Sequence, residues 1–340
     1  MSNAAPQGVI AAFAQGWRRA LAAPSIILGL WSATLLVGVP LALTLREMIA
    51  DHLGASLAAA SATSGVNYDW WNEFLAQAAG LGQTFTPAIL GFAAVLSNLS
   101  TVADAKPLPL VMATVIAMHI VLSVFLLGGV LDRLARNRAI ASFGFFSACG
   151  MYFFRFLRLG AIAAAFYWLL FARVHPWLFD DVYTSLTHDV SVERTAFLYR
   201  LLLYGLFAAV LLIVNMLFDY AKIRMVVEDR RSAIGALSAA ARFIARQPGA
   251  ALTLYLLNTL VFFAVIGLYA LIAPGADGGF TLWMALLIGQ LYIVLRIVVR
   301  LMFAASQIAL FQSRLAHAGY TAAYVAVWPE SAAAEAIRPL

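Results

Sequence analysis

The sequence predicts an all-α, polytopic membrane bundle: six transmembrane helices accompanied by interfacial amphipathic helices. Three observations carry the prediction. Six apolar runs are each long enough to cross a bilayer. The composition is 64% hydrophobic and only 11% charged, where a soluble domain is about 25% charged. And 17 of the 22 basic residues fall on one side when the runs are laid across a membrane alternately. With so little charge to cover a surface, lipid must replace part of the water.

A span needs about 20 mostly apolar residues, because the hydrocarbon layer is ~30 Å thick and a helix rises ~1.5 Å per residue. Residues 8–22 precede the first such run. They mix apolar residues with Trp17, Arg18 and Arg19 and lack the short apolar core and cleavage site of a signal peptide, so an interfacial helix is expected. Span 1 follows at 24–46. The connector 47–106 holds a weaker apolar stretch, 85–97, too short to cross and expected to lie on the surface or re-enter. Spans 2 to 6 are expected at 107–131, 159–175, 197–219, 249–273 and 280–304. The last apolar pattern runs on through 301–311. Arg296 and Arg300 should mark the inner boundary, with the remainder bending along the interface and Gln307, Gln312 and Arg314 toward water. Residues 1–320 then form one transmembrane domain and 321–340 a tail.

Orientation follows from charge. With both termini inside, the cytoplasmic side takes 17 Lys and Arg and the outside 5, while acids divide 6 to 10. Positive charge is retained on the cytoplasmic side, so a cytoplasmic (inner) membrane protein with both termini inside is expected. The net charge of +6 thereby reads as topology and not as a nucleic-acid footprint.

The approaches to the odd spans share an order: small and aromatic residues, then basic residues, then Pro or Gly, then the apolar run. Placing Pro24, Gly160 and Pro248 in register superposes AFAQGWRRALAAP, ACGMYFFRFLRLG and AAARFIARQP. The pattern suggests three parallel two-helix repeats, although any chain entering a membrane from the basic side tends to converge on it. In this reading Trp17, Arg18, Arg19, Arg155, Arg158, Arg242 and Arg246 anchor interfacial helices to headgroups. Trp70 and Trp71, in the outer connector, are anchors on the other side.

The stretches FLLGGVLDRLARNRAIASFGFFSACGMYFFRFLRLG (125–160), DYAKIRMVVEDRRSAIGALSAAARFIARQPG (219–249) and FAASQIALFQSRLAHAGY (303–320) resemble uncharacterised bacterial six-span membrane proteins. More distantly the chain is similar to the membrane domain of glycerophosphodiester phosphodiesterases. That resemblance implies a bacterial membrane bundle. The catalytic barrel of those enzymes is missing, so no hydrolytic activity carries over.

Chemistry is sparse. Cys149 is the sole cysteine, which excludes an intrachain disulfide or thiolate cage. No P-loop, GxGxxG, GxSxG or HExxH occurs, so neither an enzyme nor a cofactor is expected. Polar residues inside spans are the functional candidates. His119, Asn258 and Gln290 fall near the midplane, forming either a polar site or interhelical hydrogen bonds. Asp219 lies at the depth of Arg296, about 24 Å from the outer start; either a pair with Arg296 or Arg300 neutralises it, or the charged side chains snorkel to the inner headgroups. The outer connector with His175, Asp180, Asp181, His188 and Asp189 lacks recognisable metal spacing.

These features point to a non-enzymatic membrane protein that binds or organises lipids or partner membrane proteins. The alternative is a small-molecule or lipid transporter using the midplane polar site. A cavity reaching His119, Asn258 and Gln290 would favour transport, and a packed bundle would favour organisation.

Overall fold

The computed structural model describes residues 8–54, 56–64, 67–85, 97, 99–106, 110–273 and 280–314. Regular structure among them is helical throughout. Six helices are long and apolar enough to cross a membrane, and the chain is a multi-pass membrane protein. The weak apolar stretch at 85–97, nearly all of it, and the tail 321–340 lie outside the described residues.

In chain order, α1 (Val9–Leu21) precedes the first span, α2 (Pro24–Gly54). The short α3 (Ala59–Ser64) and α4 (Tyr68–Gln77) follow in the first connector. The second span is α5 (Leu110–Arg136) and the third begins with α6 (Ser142–Leu169). Two wider turns, Leu170–Val174 and Trp177–Val182, carry α6 without a break into α7 (Tyr183–Thr187). The fourth span is α8 (Glu193–Val227); α9 (Ala233–Arg246) then leads into α10 (Pro248–Ile272) and α11 (Phe280–Arg314). All six expected spans are present; five run several residues beyond an expected end, and the fifth keeps its expected length.

Pro24 and Pro248 each stand first in a span, where a missing N–H costs nothing. They separate α1 from α2 and α9 from α10. Gly160 does not do the same: α6 passes through it uninterrupted. Glycine weakens a helix by about 1 kcal/mol relative to alanine but keeps its N–H, so tertiary packing can override it. The third approach is therefore the first half of a long helix and not a separate interfacial one.

The three approaches nevertheless bury the same positions. In the proline–glycine register, Ala12, Ala148 and Ala236 coincide and are all buried, as are Gly16, Tyr152 and Ala240 one turn later. Each approach also packs on an even-numbered span: that of α6 on α5, α9 on α8, and α1 on α11. The arrangement closes cyclically, with the first approach resting on the last span. Small residues allow the close crossings. A Cβ on Gly16 would come 2.6 Å from Ser306 Cβ, and one on Gly128 would come 2.8 Å from the Ala148 carbonyl oxygen.

Helix α11 is the hub, touching α1, α2, α5, α8 and α10. This corrects the expectation that its last turns bend along the interface. The helix stays continuous to Arg314, residues 305–311 are buried, and Gln307 is buried with them. The apolar pattern continues through 301–311 because α1 covers it. At the same end, Arg19 Nη1 donates to the Leu134 carbonyl at 3.1 Å and to Gln312 Oε1 at 2.9 Å. Gln312 Nε2 in turn donates to the Ala135 carbonyl at 3.0 Å.

Candidate functional site

The main cavity, about 630 Å³, lies among α2, α5, α8, α10 and α11. Its walls are largely apolar: Leu126, Leu127 and Val130 from α5, Phe262 from α10, and Ile297 and Phe303 from α11. These residues sit on the inward faces of spans that would otherwise close against one another. Along α11 the lining runs from Ile293 to Gln307, about 21 Å at ~1.5 Å per residue. The cavity is thus elongated along the bundle.

Its polar groups are unevenly distributed. His119, Ser123, Thr34 and Thr259 contribute neutral groups. Toward the arginine-rich ends of α5 and α8, Asp219 and Lys222 enter from α8, and Arg296, Arg300 and Gln307 from α11. Asp219 accepts from Lys222 Nζ at 2.6 Å, an i,i+3 ion pair on one helix face. The sequence reading paired Asp219 with Arg296 or Arg300; the structure gives it Lys222 instead. The lysine lies one turn away on the same helix, whereas the arginines belong to another helix and remain exposed at the rim. Arg296 lies 5.6 Å from the centroid of Tyr292 on its own helix. Among the described residues neither arginine has a carboxylate within ion-pair distance.

The three midplane candidates do not converge. Asn258 is fully buried and donates through Nδ2 to Ser306 Oγ at 2.9 Å, tying α10 to α11. Gln290 Oε1 accepts from Trp31 Nε1 at 2.9 Å, tying α11 to α2. Only His119 lines the cavity. Two of the three are therefore interhelical hydrogen bonds of the kind that joins membrane helices.

Several expected anchors are likewise structural. Arg19 is buried, and burial pulls its pKa below the usual guanidinium value; it bonds the Leu134 carbonyl oxygen and the side-chain carbonyl oxygen of Gln312. Trp17 packs against the core, while Arg18 is exposed as an anchor would be. Arg155 pairs with Asp229 at 2.5 Å and Arg158 reaches the Arg231 carbonyl at 3.4 Å, so both hold the turn between α8 and α9. Arg242 and Arg246 are exposed. Trp70 is buried, stacked on Phe74, with Nε1 donating to His52 Nδ1 at 3.0 Å. Trp71 Nε1 donates to the Phe85 carbonyl at 3.1 Å. The tryptophan pair folds the first connector upon itself.

Around His175 and His188, as elsewhere among the described residues, no metal-binding group of three His, Cys, Asp or Glu occurs. His175 is buried, its Nε2 lying 2.7 Å from the Ala103 carbonyl oxygen, while His188 pairs with neighbouring Asp189 in the open at 2.9 Å. Beside His175, Asp104 accepts from Tyr204 at 2.8 Å and Ser100 at 2.9 Å. These bonds hold its carboxyl below the ordinary range.

No family model, curated protein or solved structure matches the chain. Sequence reasoning missed Arg133, Ser306 and Trp31, each of which acts across helices. The available signal was modest: a basic residue in the last turn of a helix, where carbonyls lack partners.

Proposed function

We propose that this protein is a non-enzymatic membrane protein that binds an anionic lipid in its central cavity, with its arginine-rich ends facing the cytoplasm. The observation that carries this reading is the pairing of an apolar-walled cavity with two arginines, Arg296 and Arg300, that have no carboxylate partner among the described residues. An arginine inside a span is costly unless an anion or water meets it, and a lipid phosphate accepts bidentate bonds from a guanidinium. The acyl chain of the same lipid fits the apolar wall formed by Leu126, Leu127, Val130 and Phe262. The basic excess on one side supports the orientation.

The test is native mass spectrometry of protein taken from phosphatidylglycerol-containing discs. Wild type should retain the lipid, and the Arg296→Gln/Arg300→Gln double variant should release most of it. Equal retention by both would remove the reading.

Transport is the second reading, favoured by the reach of the cavity from Arg300 to His119. It requires that reconstituted protein move an anionic amphiphile and that His119→Ala slow the movement. Retention of lipid without flux leaves binding alone.

A further inference from the structure

Away from the central cavity, α8, α9 and α11 enclose a second, smaller cleft of about 310 Å³ at the arginine-rich end. Five arginines line it: Arg224, Arg230, Arg242, Arg246 and Arg314. One carboxylate, Glu228, neutralises part of this charge. It takes Arg224 Nη2 at 2.6 Å and Nε at 3.1 Å, and it also accepts from Arg230. Arg224 is further fixed by a bond to the Ala239 carbonyl and lies 5.1 Å from the centroid of Phe311.

The other three arginines are different. Arg242, Arg246 and Arg314 have no hydrogen-bond or ion-pair partner among the described residues, and Nε of Arg314 is enclosed with no acceptor. Arg242 and Arg246 stand four apart on α9, a like-charge spacing that disfavours a helix unless an anion bridges it. The cleft therefore combines two guanidinium groups held in place with three that lack acceptors among the described residues.

We infer that this cleft is a phosphate-binding site, taking either the phosphate of a membrane lipid headgroup or a free phosphorylated solute. Planar guanidinium forks match phosphate oxygens bidentately, and several converging arginines favour a dianion or diphosphate over a carboxylate. The volume lies at the small end of ligand pockets, sufficient for a headgroup or a diphosphate. The site shares no lining residue with the central cavity and does not depend on what that cavity binds.

The experiment uses the full chain in a non-ionic detergent, titrated with pyrophosphate by calorimetry. In parallel the protein is placed in phosphatidylcholine discs with and without phosphatidic acid, and lipid retention is read by native mass spectrometry. At least one arm should show saturable binding. Arg242→Gln/Arg246→Gln should weaken it on the order of ten-fold or more, and Arg242→Lys/Arg246→Lys should weaken it less. Arg138→Gln, an exposed arginine at the same end, controls for bulk charge and should bind as wild type does, and the lipid arm is repeated in the Arg296→Gln/Arg300→Gln background to remove any lipid held in the central cavity. Pyrophosphate binding identifies a soluble ligand, and phosphatidic acid retention without it identifies a lipid. Absence of binding in both arms, binding unchanged by the α9 double variant, or equal loss in Arg138→Gln would overturn the assignment.

Discussion

Arg19 and Arg133 cap each other's helices. Arg19, in the last turn of α1, donates to the Leu134 carbonyl near the end of α5 at 3.1 Å. Arg133, near the end of α5, donates through Nη2 to the Ala22 carbonyl just past α1 at 3.0 Å. Terminal helix carbonyls lack intrahelical donors and carry partial negative charge. One exchange thus satisfies two helix ends and locks the first approach helix to the second span.

Removing either arginine should cost about 1.5–3 kcal/mol, the range for hydrogen bonds to charged groups. Arg19→Gln and Arg133→Gln are best measured by denaturant unfolding in detergent. Because the two side chains serve one junction, the double variant should fall short of additivity by about 0.5 kcal/mol or more. Strict additivity would mean that the bonds act independently.

Gly16 should tolerate no larger residue. A Cβ there meets Ser306 Cβ at 2.6 Å and Ser306 Cα and N at 2.9 Å, and backbone cannot move aside as a flexible side chain can. Gly16→Ala is expected to lower stability by about 1–3 kcal/mol. Gly150→Ala meets nothing within 4 Å and should be neutral or gain about 0.5–1 kcal/mol from helix propensity. Thermal melts of the two variants check the contrast, and equal melts would refute the close crossing of α1 and α11.

The polar residues of the spans should separate into structural and ligand-facing sets. Asn258→Ala breaks the buried bond to Ser306 and should destabilise by about 0.6–1.7 kcal/mol while leaving phosphatidylglycerol retention intact. Asp219→Asn removes the partner of Lys222 and leaves another uncompensated cation at the cavity. Retention of the anionic lipid should therefore rise severalfold, as read by native mass spectrometry. A fall in retention would place the carboxylate itself in the binding site.

Glu228 gives the acid limit of the α8–α9 junction. Burial alone would raise its pKa, but hydrogen bonds from Arg224 and Arg230 outweigh that and hold the carboxyl below its ordinary 4.5. Because the folded value is the lower one, the stabilisation is complete above about 4.5 and fades as pH falls through the folded pKa. Wild-type protein should therefore lose melting temperature as pH drops below about 4.5. Glu228→Gln should melt lower at neutral pH and show a shallower acid slope, and an unchanged slope would exclude this carboxyl.

The spans were legible because hydrocarbon imposes one rule, some 20 apolar residues in succession, and six runs satisfy it. Pro24 and Pro248 could be read as helix starts because a missing N–H acts locally. Gly160 misled because glycine only disfavours a helix, and the packing of α6 on α5 decided otherwise. The cavity arginines Arg296 and Arg300 stood out by their depth, but Lys222 as the partner of Asp219 depended on rotamers and proximity. The bonds from Asn258 to Ser306 and from Trp31 to Gln290 join residues 48 and 259 positions apart. Such pairings follow from which helices are neighbours, and hydrophobic periodicity does not encode that.

The resting place of α1 sets an order of assembly. Arg19 and its partner Gln312 are 293 positions apart, so α1 is synthesised long before the helix that receives it. Until α11 has been inserted, most of the buried face of α1 has no protein to cover it. An amphipathic helix with exposed Arg18 and adjacent Trp17 can wait on the membrane surface meanwhile. Interfacial anchoring, in place of a permanent role, then describes an early stage in the life of this helix. Docking onto α11 becomes the step that completes the bundle.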